Sequence, residues 1–77
     1  MNQKQKMTHL NGLIEELVEA REECSNGVDS LYVMMLEAEI FWFCASMINS
    51  KYAPVLLKEW NDAKENYYVA KAEQVRL

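Results

Sequence analysis

Residues 31–48 read LYVMMLEAEIFWFCASMI, and only Glu37, Glu39 and Ser46 among them are strongly polar. At about 100° per residue, the apolar side chains of such a helix point in every direction. Ile40 and Met47 lie on one side, Leu31 and Ala38 opposite, Phe41 and Trp42 between. A helix apolar all round must be covered all round. The stretch is nearly long enough to span a membrane. However, each carboxylate near its middle would cost about 2.5–3.5 kcal/mol at a bilayer centre. The stretch is therefore expected to be the buried central helix of a soluble protein, with no membrane as partner; a membrane span is the minor alternative.

The flanking segments are amphipathic. From about residue 3 to 24, Met7, Leu10, Ile14, Leu17, Arg21 and Cys24 recur at steps of three and four, and Leu13, Val18 and Ala20 widen the stripe. Ser25-Asn26-Gly27 ends this helix, because Asn and Gly tolerate the left-handed cap conformation. Asn26 or Asp29 is then placed to cap the next one. The central helix is expected over about 28–50. A third begins near Pro54, whose missing N–H is harmless in a first turn, and runs to about 76. Its stripe is Leu56, Trp60, Ala63, Tyr67, Ala70, Gln74 and Leu77. Joints this short favour antiparallel neighbours.

Two helices, each with one stripe, cover only two sides of the middle one. The expectation is an all-α, three-helix antiparallel bundle in a single domain (1–77), completed by dimerisation. Met35, Phe41, Trp42 and Phe43 compete for the uncovered side and are the expected self-association residues, since a contiguous exposed apolar patch marks an interaction site.

Composition narrows the functional classes. The chain has 77 residues, 51% of them apolar, with two Gly and one Pro, which argues against disorder and for one small helical domain. Two cysteines without a CxxC or Cys/His cluster suggest neither a disulfide scaffold nor a metal site. Cys24 and Cys44 are expected to be reduced and buried, which fits a cytoplasmic setting. No targeting segment is visible, because Glu15 and Glu16 interrupt the run that follows Lys4 and Lys6. The formal charge is −4, and no basic patch exists to bind a phosphate backbone directly.

No residue set makes a convincing active site. Glu16-x-x-Glu19 followed by Glu59-x-x-Asp62 has the order of the paired acidic motifs with which all-α nucleotide pyrophosphatases hold Mg²⁺, but the pairs lie too far apart in the chain for that pattern. Both also lie opposite their helices' apolar stripes, and so read as solvated faces. His9 has no Cys, Asp or Glu three or four residues away, and reads as a surface histidine. The serines lack a His/Asp set for nucleophilic catalysis. No cofactor is expected. Glu37 lies among Val33, Phe41, Cys44 and Ile48, so it is the candidate buried polar group, to be paired or raised in pKa. Glu39, beside Tyr32, Ser46 and Ser50, is expected at a solvated or partly polar edge.

One feature opposes helix stability. Glu15, Glu16, Glu19, Glu22 and Glu23 share the outer face of the first helix with only Arg21 to offset them. Like charges on neighbouring turns repel, and Glu22 and Glu23 sit at the negative end of the helix dipole. A strip of this kind is suited to a basic surface on a larger protein. The expected function is a small, acidic, non-enzymatic interaction module, a homodimer acting as adaptor or inhibitor. Mimicry of nucleic-acid charge, as in small phage inhibitors, is one form of it. The alternatives are a secretion-type chaperone holding a partner helix and a Mg-dependent all-α nucleotide phosphohydrolase.

Overall fold

The structure, a computed structural model, describes residues 2–25 and 27–76, the last by its backbone alone. Asn26 and Leu77, named above as a cap and a stripe residue, lie outside the described residues. The chain is all-α: α1 (Gln3–Glu22), α2 (Gly27–Met47) and α3 (Ala53–Arg76) follow one another, with no strand among the described residues.

Local side-chain chemistry sets the boundaries. Asn2 accepts a hydrogen bond from the Gln5 N–H at 2.8 Å, and the Gln5 side chain accepts from the Asn2 N–H at 3.0 Å. This reciprocal capping box satisfies two otherwise orphaned donors at the start of α1. Beyond α1, the Ser25 N–H and hydroxyl both donate to the Asp29 carboxylate, at 3.1 and 3.0 Å. Asp29 thus closes the joint from inside the first turn of α2.

α2 stops three residues short of the expected 50. Asn49 adopts a positive φ of 53°, its N–H donates to the Ser46 carbonyl at 3.2 Å, and the Ser50 N–H donates to the Ala45 carbonyl at 2.9 Å. This Schellman pair satisfies the last carbonyls and reverses the chain. The Ser50 hydroxyl then accepts from the Tyr52 N–H at 3.1 Å, leading into α3 with Pro54 in its first turn.

α1 and α3 each pack against α2, and among the described residues no Cα of α1 comes within 8 Å of one of α3. The pairs His9–Phe43, Glu16–Tyr32 and Arg21–Glu37 join α1 to α2. Trp42–Trp60 and Tyr32–Tyr67 join α2 to α3. From Tyr32–Tyr67 to Trp42–Trp60 the residue number rises on α2 as it falls on α3, whereas along α1 the α2 partners fall from Phe43 to Tyr32 and rise again to Glu37. α2 thus lies between α1 and α3 in an open layer that measures 43 × 24 × 16 Å.

A single layer buries little. Leu13, Met35, Leu36 and Ala45 are the buried apolar residues. Because α1 has only one neighbour, it can bury only part of its apolar width. Leu13 is buried and Leu10, Leu17 and Ala20 are half-buried, whereas Met7, Ile14 and Val18 on the other edge of the stripe are exposed. The expected burial of both cysteines is not met. Cys24 and Cys44 are free and exposed, Cys24 because it follows the end of α1 and Cys44 because it lies on a side of α2 that neither neighbour covers.

Candidate interaction surfaces

The acidic strip is built by α1 alone. Glu15, Glu16, Glu19, Glu22 and Glu23 are all exposed, but they do not act as one set. Glu16 sits at the edge towards α2, where its carboxylate accepts a hydrogen bond from the Tyr32 hydroxyl. Glu15, Glu19, Glu22 and Glu23 form no ion pair among the described residues. The one basic residue in this part of α1 turns away from them, as the Arg21 guanidinium donates to Glu37 on α2 at 3.0 Å. Four carboxylates therefore face water with no cation among them.

Glu37 and Glu39 lie in different surroundings. Glu37 is paired, as one branch of the sequence argument required, but it is not buried, with 34% of its side chain exposed against 58% for Arg21. An ion pair this open contributes little, typically below about 1 kcal/mol. Glu39, by contrast, is partly desolvated. It is half-buried, and burial raises its pKa; His9 and Lys64 oppose that rise and the Glu16 charge adds to it. Spacing along α2 could not show this, because the groups responsible belong to α1 and α3.

Around Glu39 the two seams of the layer are closed by mixed polar and aromatic contacts. The Tyr32 ring lies 5.1 Å from Tyr67, and Tyr67 lies 5.2 Å from Tyr68. His9, exposed as expected, also rests its ring 4.9 Å from Phe43. The hydrogen bond to Glu16, reinforced by burial and by the Glu16 charge, pushes the Tyr32 pKa up from 10.0 to about 12.

The expected self-association residues are dispersed. Met35 is buried within the chain. Trp42 stacks on Trp60 at 5.0 Å, with ring planes 17° apart, and Phe43 meets His9 on α1. Of the four, Phe41 alone is left exposed, in line with Met34 and Ile48: their exposures are 60%, 57% and 78%. Beside this line, Met34, Glu37, Ala38 and Phe41 form a shallow groove with Glu59 and Ala63 of α3.

The acidic pairs Glu16/Glu19 and Glu59/Asp62 sit on α1 and α3, whose Cα atoms come no closer than 8 Å among the described residues. Among the described residues no three His, Cys, Asp or Glu side chains are grouped as a metal site would require. α2 has the length and apolarity of a membrane span by composition alone. No known family pattern, curated protein or solved structure matches the chain.

Proposed function

We propose that this protein is a non-enzymatic interaction module whose three helices form an antiparallel layer. It self-associates through α2 and presents the outer face of α1 to a basic site on a larger protein, as adaptor or inhibitor in the cytoplasm. The observation that carries this reading is the diversion of Arg21. Because the guanidinium is engaged by Glu37, Glu15, Glu19, Glu22 and Glu23 remain un-neutralised.

Their spacing supports a specific form of inhibition. Eight residues of helix separate Glu15 from Glu23, about 12 Å at 1.5 Å per residue, so the strip carries roughly one charge per 3–4 Å. Phosphates along one strand of duplex DNA recur every 3.4 Å or so. A groove evolved to hold a nucleic-acid strand would meet a similar charge density on α1, on a rigid support that loses little entropy on binding.

The test replaces Glu15, Glu19, Glu22 and Glu23 by Gln, which keeps helix propensity and removes the repulsion. The wild-type chain, used as bait in extract from its own host, is expected to retain a nucleic-acid-binding protein that duplex DNA competes away. The Gln variant is expected to lose it while keeping full helix content by circular dichroism. Retention by the Gln variant would rule the acidic strip out as the docking surface.

A further inference from the structure

The two broad faces of the helical layer are unequal. At about 100° per residue, Tyr32, Glu39 and Phe43 fall on one arc of α2, and Met34, Glu37, Phe41 and Ile48 fall on the opposite one. The first arc is sealed by Glu16, His9 and Tyr67 from the flanking helices. On the second, Arg21–Glu37 is the one ion pair among the described residues, and the rest is open and apolar. The face of α1 that carries Arg21 also carries Met7, Ile14 and Val18, all exposed. A continuous apolar strip therefore runs across α1 and α2 on this side only.

We infer that this face, centred on Phe41, is where a second copy of the chain packs, two-fold and face to face. The inference rests on the self-association proposed above and identifies its surface, which keeps Phe41 of the four residues expected from sequence and leaves out Met35, Trp42 and Phe43. Area supports the occupant. A compact monomer of this mass should expose about 4,850 Å², whereas this chain exposes 5670 Å². The excess, roughly 800 Å², is what each partner buries in a standard stable interface.

Charge and pattern agree with this choice. The net charge of −4 disfavours an anionic lipid surface, whereas on the open face Arg21 offsets Glu37 and Glu59 stands at the α3 edge of the groove. Met34, Phe41 and Ile48 recur every seven residues, the repeat that keeps an apolar seam against a partner helix. One apolar face per chain gives a contact that closes after two copies and does not grow further. Phe41, midway along the seam, then lies nearest the two-fold axis, with Cys44 one turn away from it.

The experiment is solution mass by light scattering on the wild type, Phe41→Glu, and Val69→Glu on the outer side of α3 as control. The wild type and control are expected at twice the 9.0 kDa of one chain, and Phe41→Glu at a single chain's mass with unchanged helix content. If Phe41→Glu remains dimeric, the chain self-associates through another face and this inference fails while the proposed self-association stands. If the wild type is monomeric, both fail, and the open face passes to a helix of another protein or, should the chain float with phosphatidylcholine vesicles, to a membrane. Should Phe41→Glu unfold, a Cys24→Ser chain treated with a short bismaleimide decides: a covalent dimer through Cys44 supports the interface, and its absence in dilute solution overturns it.

Discussion

Trp42 of α2 lies almost flat on Trp60 of α3, with ring centroids 5.0 Å apart and planes inclined by 17°. Lys64 closes the outer side of the stack, its Nζ 4.4 Å from the Trp60 ring centroid. The stack has a built-in defect. Trp60 Nε1 is buried and has no hydrogen-bond acceptor among the described residues. An orphaned donor of that kind costs about 1–3 kcal/mol.

Truncating and conservatively replacing Trp60 are therefore expected to diverge. Trp60→Ala should destabilise the fold by about 3 kcal/mol, a large share of what a domain of this size possesses. Trp60→Phe keeps a ring on Trp42 and removes the orphaned N–H, so it should cost less than about 1 kcal/mol. Urea denaturation followed by circular dichroism measures both. Equal losses for the two variants would show that the indole N–H is satisfied in solution.

Asn49 offers a sharper backbone test. Its φ of 53° lies in the left-handed region, which costs an ordinary L-residue roughly 1–2 kcal/mol and Asn less. Asn49→Gly should therefore be neutral or stabilising by a few tenths of a kcal/mol, and Asn49→Ala should destabilise by about 1 kcal/mol. The comparison of melting temperatures reads the sign directly.

Tyr32 should make the fold sensitive to alkali. Its folded pKa, about 12, lies above the ordinary 10.0 because the neutral hydroxyl donates to Glu16. A group with a raised folded pKa contributes stability that is fully present below its unfolded pKa. That contribution should drain away as pH rises from about 10 towards 12. Tyr32→Phe should lower stability at neutral pH and remove this alkaline component, as denaturation midpoints collected across that range would show.

Glu39 should behave in the opposite sense at acid pH. Burial raises its pKa, so the folded chain holds this proton more tightly than the unfolded chain does. Its charged form costs stability at neutral pH, and the cost disappears as pH falls through the raised value into the ordinary carboxylate range. Glu39→Gln should raise the melting temperature at pH 7, and the gain should vanish near pH 4. A loss at pH 7 instead would mean that the attraction to His9 and Lys64 outweighs desolvation.

Sequence by itself determined the number, type and approximate limits of the helices. Periodic apolar stripes, Pro54 and the Asn/Gly-bearing joints act through local backbone physics, which needs no neighbour. It also placed the acidic strip, since residues sharing one helix face follow from spacing alone. The tertiary structure decided how α2 is turned about its own axis. A helix apolar on every side has no preferred face, so nothing in its pattern tells Phe41 from Trp42 or Glu37 from Glu39. Packing against α1 and α3 makes that choice: it places Trp42 on Trp60 and Phe43 on His9, pairs Arg21 with Glu37, and leaves Met34, Phe41 and Ile48 uncovered.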